Sequence, residues 1–244
     1  MRKIVERIPG GSYFLSLYKK WKFNVYYKHI KDKEALFTDY FHNRTWGEKE
    51  SVSGTGSTHS YTAPLRKELP KLLQDYEVKK LLDAPCGDFN WFHLLKKDMS
   101  LTYVGGDIVK PLILQNRERF SDTITDFIHL DITKDKLPES DLWFCRDCLI
   151  HFSDDDIEKA LNLFLKSEIP LILTTSYTES KENKNIPTGG HRFLNLELPP
   201  FNFPKPIKYI DDWIEGFPVK RMGLWKREAV QKALVGYKVG EENV

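Results

Sequence analysis

Five short apolar runs punctuate the middle of this chain: VKKLLDAP (78–85), LTYVGGDIV (101–109), DFIHLDIT (126–133), SDLWFCRD (140–147) and IPLILTTSY (169–177). Stretches with helical spacing accompany them, at 60–76, at FNWFHLLKK (89–97), at LILQNRERF behind Pro111, and at DDDIEKALNLFLK (154–166). Parallel strands need long crossovers, usually helical, so this rhythm predicts right-handed βαβ units and a parallel sheet covered on both faces. The expected core is an open, doubly wound α/β fold.

Beyond residue 177 the rhythm stops. Residues 178–206 hold five prolines and an adjacent glycine pair with little periodicity, which predicts a long loop. IKYIDDWI (207–214) and RMGLWKREAV (221–230) then suggest two closing strands forming an antiparallel edge. At the other end, residues 1–35 carry nine Lys/Arg against three acidic residues, although the whole chain is only +2. Phe14, Leu17, Tyr18, Trp21 and Val25 recur at helical spacing there, with lysines between them. Such a basic amphipathic helix packs as a brace or lid, or attaches peripherally to an anionic membrane surface. The expected organisation is a helical, basic extension and lid over 1–58 and one α/β domain over 59–244.

Composition removes several classes. No apolar run approaches the ~20 residues of a membrane-spanning helix. The opening MRKIVERIPGGSYF is too interrupted for a secretory signal. Cys86, Cys145 and Cys148 form neither an even disulfide set nor a zinc pattern, which suits a reducing, cytoplasmic setting. The body outside the N-terminal segment is acidic and shows no recognition module, so nucleic acid is not an expected partner.

In open α/β sheets, ligands bind beyond the carboxyl ends of the strands. Those ends carry Asp83, Pro85, Cys86, Gly87 and Asp88 after the first run, then Asp107, Asp131, and Arg146 with Asp147 and His151. A dinucleotide would need a glycine-rich turn for its pyrophosphate, but here the turn is Cys86-Gly87-Asp88-Phe89, whose Asp88 would repel a phosphate. An amino acid moiety joined to a nucleoside fits better. Its ammonium can meet carbonyls or a carboxylate where Gly87 permits close approach. Asp107 is then placed to accept from both ribose hydroxyls, with charge-assisted bonds of about 1.5–3 kcal/mol each.

Together LLDAPCGDFNWF, YVGGDIV, FIHLDIT and DLWFCRDCLIHF resemble, in order and spacing, the successive motifs of class I S-adenosylmethionine-dependent methyltransferases over residues 60–177. WGEKESVSGTGSTHSYTAPLR and TGGHRFLNLELPPFNFPKPI extend the likeness to a bacterial subfamily associated with surface polysaccharide biosynthesis. The resemblance implies a Rossmann-like methyltransferase sheet with S-adenosyl-L-methionine as cofactor. It implies Asp83 and Gly87, flanked by Pro85 and Cys86, at the methionyl part, Asp107 with Ile108 at the ribose, Asp131 with Ile132 at the adenine, and Arg146 beneath the methionyl chain. Arg66 is either a fork for the methionyl carboxylate or a solvated helix residue. Trp46 either covers the cofactor or is ordinary packing.

Methyl transfer to a hydroxyl needs alignment and a proton acceptor, the latter contributing typically ~10²–10⁴ in rate. His151 is the first candidate base, Asp147 the second, as base or as the group orienting the histidine, and His191 stands in reserve. If DCLIH is helical, its i, i+4 spacing puts Asp147 and His151 on one face. CRDC imitates a redox pair without the helix-start context, and SDDDIE reads as a capped helix start, so no metal is expected. Tyr177, His191, Arg192 and Asn195 are expected to bind a small-molecule or glycan acceptor. The reading is O-methylation of a sugar hydroxyl of a surface or capsular polysaccharide or its nucleotide-linked precursor. Alternatives are a phosphoramidate or other phosphorylated capsule decoration contacted by Arg192 and the lysines, or a non-catalytic binding protein anchored through the N-terminal helix.

Overall fold

The computed structural model describes residues 30–96 and 99–241; the expected helix around residues 14–25 lies outside them. The first described element, α1 (Lys33–His42), starts at Asp32, whose side chain accepts from the Ala35 amide. Then come α2 (Ala63–Asp75), β1 (Lys80–Asp83), the short α3 (Phe92–Lys96), β2 (Thr102–Asp107) and α4 (Lys110–Phe120). They are followed by β3 (Thr125–His129), β4 (Leu142–Cys145), α5 (Asp154–Lys166) and β5 (Leu171–Ser176). A hairpin of β6 (Lys208–Asp211) and β7 (Arg221–Lys226) and a final α6 (Arg227–Glu241) close the chain.

The seven strands form one sheet in the order β3-β2-β1-β4-β5-β7-β6. β1 to β5 are parallel, while β7 runs antiparallel to both β5 and β6. This is the expected doubly wound, Rossmann-like sheet with an antiparallel edge. Strand order reverses between β1 and β4, so their carboxyl ends diverge around a crevice.

Alternation along the strands divides two apolar layers. Leu82, Trp143 and Ile172 face one layer with Ile157, Leu161 and Phe164 of α5. Leu81, Tyr103, Phe127 and Phe144 face the other with Leu65, Leu69, Leu72 and Leu73 of α2. Leu36, Phe37 and Tyr40 of α1 belong to the first layer. The Lys33 ammonium lies 3.0 Å from Asp156 of α5, and the Tyr40 hydroxyl donates to the Gly189 carbonyl at 2.9 Å. α1 is thereby fixed across the strand ends.

Two local expectations change. The segment 227–230 is not strand: the Arg227 amide turns to the Pro170 carbonyl at 2.8 Å and the chain enters α6. The segment after β4 forms a single 3-10 turn, Leu149–His151, in place of an α-helix. Asp147 lies outside that turn with φ of 50°, so the i, i+4 argument pairing it with His151 does not apply. Among the described residues no helix is long and apolar enough to cross a membrane.

Candidate active site

The carboxyl ends of the parallel strands, α1 and the segment 46–57 enclose a cavity of about 350 Å³. Asp83, at the end of β1, is buried and accepts from the Tyr103 hydroxyl at 2.6 Å. Burial pushes its pKa up to about 8, against the pull of that bond and of Arg146. Asp107, at the end of β2, accepts from the backbone amides of Gly87 (3.1 Å) and Val109 (2.9 Å). Burial still pushes it up to about 6. Gly87 needs its φ of +56°, and a Cβ there would lie 2.3 Å from Ser53 Oγ.

Asp131 follows β3. Its Oδ1 accepts from the amide (2.9 Å) and hydroxyl (2.6 Å) of Thr133. Its Oδ2 is buried without a hydrogen-bond partner, although the Lys134 ammonium sits 3.4 Å away. Ile108, Val109, Leu112, Leu130 and Ile132 supply apolar wall beside it, and Phe37 and Phe41 of α1 also line the cavity. Beside its ion pair with Lys134, the buried Oδ2 of Asp131 accepts no hydrogen bond and so keeps accepting capacity. Pro85, Cys86 and Trp46 complete this side. Burial raises the Cys86 thiol well above its ordinary range, so it stays protonated.

The opposite rim is built from ion pairs. Arg146 donates to both oxygens of Asp212 at 2.8 Å and to the Gly56 carbonyl at 2.7 Å, and its guanidinium is 3.4 Å from Asp147. Lys220, just before β7, pairs with Asp147, lies 3.2 Å from Asp212 and stands over the Tyr61 ring at 5.0 Å. Burial favours the neutral form of Asp147, but Lys220 and Arg146 outweigh it and hold the carboxyl well below its ordinary range. Such a group is a weak proton acceptor. Sequence reading missed Lys220, Asp212 and Tyr61; they lie on the hairpin and ahead of α2, and no local motif marks them.

His151 also lines the cavity. Its Nδ1 is 2.6 Å from the Gly190 carbonyl. A carbonyl only accepts, so Nδ1 carries the hydrogen and the neutral ring keeps its lone pair on Nε2. Burial lowers the pKa of His151, opposed by that bond and by Asp147. The orienting group is thus Gly190, where Asp147 was expected. The ring packs beside Trp46 (centroids 6.0 Å) and His191 (5.4 Å).

Four further expectations divide. Tyr177 and His191 line the cavity; Arg192 and Asn195 do not. Arg192 is buried on Asp154 (2.5 Å) and on the carbonyls of Lys184 and Phe152 (both 3.0 Å). Asn195 ties Asn183 to its own loop. Arg66 is likewise absent from the lining, donating to the His59 carbonyl at 2.8 Å and Thr62 at 3.3 Å. Asp88 does not face the cavity: its carboxylate accepts from the Ser51 hydroxyl (2.9 Å) and the Val52 amide (2.8 Å).

No family model matches this chain, and no curated protein sequence does. Solved structures do. The 1,6-didemethyltoxoflavin-N1-methyltransferase of Burkholderia thailandensis superposes with a TM-score of 0.59 at 13% identity, over 79% of this chain and 86% of that one. Magnesium protoporphyrin IX methyltransferase of Synechocystis PCC 6803 gives 0.54 at 10% identity, over 80% and 100%. The methyltransferase domain of bacterial CtHen1 gives 0.51 at 15% identity, over 68% and 99%. The first two were crystallised with S-adenosylhomocysteine. The fold is that of the class I S-adenosylmethionine-dependent methyltransferases.

Proposed function

We propose that this chain is an S-adenosylmethionine-dependent O-methyltransferase acting in the cytoplasm on a sugar hydroxyl of a surface or capsular polysaccharide or its nucleotide-linked precursor. The observation that carries the reading is the series of buried carboxylates at successive strand ends, Asp83, Asp107 and Asp131, which line one cavity, the last with an Oδ2 that accepts no hydrogen bond. Adenine offers an exocyclic amine to such an oxygen, a ribose offers hydroxyls to Asp107, and a methionyl ammonium suits the buried Asp83. When bound, the cofactor supplies a methyl group on a sulfonium and departs as the neutral thioether.

His151 is the proposed base. Its Nε2 lone pair takes the proton of the acceptor hydroxyl while that oxygen forms its bond to the methyl carbon. Trp46 and His191 flank it and Tyr177 lines the same cavity, flat faces and polar edges that suit a sugar ring. A phosphorylated acceptor is less well supported, because Arg192 is committed inside the loop and Lys220, the lysine lining the cavity, is paired with Asp147 and Asp212.

Calorimetry with S-adenosylmethionine, followed by transfer of labelled methyl to a panel of nucleotide sugars, tests the reading. Micromolar binding and incorporation into one acceptor are expected. In His151→Ala, cofactor affinity should stay within about twofold while turnover falls about 10²–10⁴. Unchanged turnover would remove His151 from the reaction, and no binding to the wild type would remove the function.

A further inference from the structure

The segment 46–57 forms a strap along the cavity, lined inward by Trp46, Val52, Ser53, Gly54, Thr55 and Gly56. Trp46 and Val52 pack against the core, but most of the strap is polar and its other ties are hydrogen bonds. Asp88 accepts from the Ser51 hydroxyl at 2.9 Å, the Val52 amide at 2.8 Å and the Ser53 hydroxyl at 3.4 Å. Its own amide donates back to Ser53 Oγ at 3.3 Å. Two residues on, the Asn90 side-chain amide donates to Glu50 at 2.9 Å and to the Ser57 carbonyl at 3.0 Å. On the far side Arg146 reaches the Gly56 carbonyl at 2.7 Å.

The turn that carries Gly87 to the cavity therefore also fastens the strap. Ser53 Oγ occupies the space a Cβ on residue 87 would claim, so the absence of a side chain at Gly87 serves strap closure directly. We propose that Asp88 is a positioning residue of the donor site, acting through the strap: it holds residues 51–53 against the turn and so slows escape of the bound adenosyl ligand. The proposal rests on the function read above for the identity of that ligand. Segments held mainly by polar bonds open locally more often than the sheet does, and lids of this kind set ligand exchange.

Two measurements test it on the full chain. Hydrogen exchange in Asp88→Ala should show amides of 46–57 losing protection at least about tenfold while β1, β2 and β4 keep theirs. Stopped-flow competition with S-adenosylhomocysteine, read by tryptophan fluorescence, should show dissociation accelerated about tenfold or more, with Asp88→Asn between that and wild type. Ser51→Ala with Ser53→Ala removes the side-chain donors but leaves Asp88, so it decides the matter should Asp88→Ala fail to fold. Strap exchange at the wild-type rate in a folded Asp88→Ala or double-serine variant overturns the proposal, as does ligand dissociation within twofold of wild type. Wild type that binds no adenosyl ligand defeats the function reading separately, and the exchange data still decide whether Asp88 holds the strap.

Discussion

The two rims of the cavity treat their carboxylates in opposite ways. On the β1, β2 and β3 side, Asp83 and Asp107 are buried with hydroxyl and amide donors but with no ion pair among the described residues, and both are pushed toward the protonated form. Asp131 has the largely exposed Lys134 as its ion-pair partner and a buried oxygen that accepts no hydrogen bond. On the β4 and hairpin side, Asp147 and Asp212 share Arg146 and Lys220 in a closed arrangement of two anions and two cations. One rim is electrostatically complete; the other is not.

The difference separates ligand recognition from scaffolding. Buried carboxylates without a buried ion-pair partner cost stability in the apo protein, and that cost is offset when a ligand brings donors or a positive charge. A buried ion-pair ring gains little from a ligand. It fixes the geometry of the β4 end and of the strap through Gly56.

Removing a member of the complete rim should have the largest effect on folding. Lys220→Met leaves Asp147 and Asp212 sharing one cation, and breaking a buried pair costs about 3–5 kcal/mol. For a chain of this length that is a fall in Tm of about 10 °C. A thermal melt with a loss under about 2 °C would break the comparison at that end. The incomplete rim should respond in binding instead. Asp107→Asn should weaken S-adenosylmethionine affinity about tenfold to a hundredfold, the equivalent of about 1.5–3 kcal/mol, with little loss of apo Tm. Calorimetry and melting on the same sample check both halves of that statement.

The incomplete rim was also the one legible in the sequence. Asp83, Asp107 and Asp131 each end or follow an apolar run, so a period-two pattern and one turn are enough to place them at the strand ends. The strands of the parallel sheet and α5 behind Ser153 were readable for the same local reason. The complete rim was not. Lys220 and Asp212 meet Asp147 and Arg146 across separations of 73 and 66 residues, through a hairpin whose sequence shows two strands but not which side chains face β4. Arg192, Asn195 and Arg66 looked like ligand contacts by residue type, yet each is occupied by carbonyls or side chains of its own neighbourhood. Asp88 was read as turned to the ligand because nothing in the local pattern announces the strap it holds.

pH offers a smaller but sharper probe. The folded-state values of Asp83 and Asp107, about 8 and about 6, lie above the ordinary carboxylate value, so the folded apo protein binds more protons than the unfolded chain across the interval between. Their stabilising contribution is therefore full below about pH 4 and is lost as pH rises through about 6 and then 8. Asp147 works the other way, but its loss comes at acid below that interval. Apo Tm should fall between about pH 5.5 and about pH 8, a melt at each pH being the check. Asp83→Asn should flatten the slope; a slope equal to wild type would show that Asp83 is not the buried acid responsible.

The smallest effect is expected at Arg66, and it bears on where the incomplete rim ends. A guanidinium fork would suit a methionyl carboxylate, yet Arg66 spends its Nη2 on the His59 carbonyl and its Nε on Thr62, one turn back on the same helix. Those bonds brace the start of α2, so Arg66→Ala should lower Tm by about 2 °C and leave S-adenosylmethionine affinity within about twofold. A tenfold loss of affinity with the same small change in Tm would mean that Arg66 leaves His59 on binding and reaches the cavity. The carboxylate-rich side would then acquire a cation only in the loaded state, and the contrast between the two rims would belong to the apo protein alone.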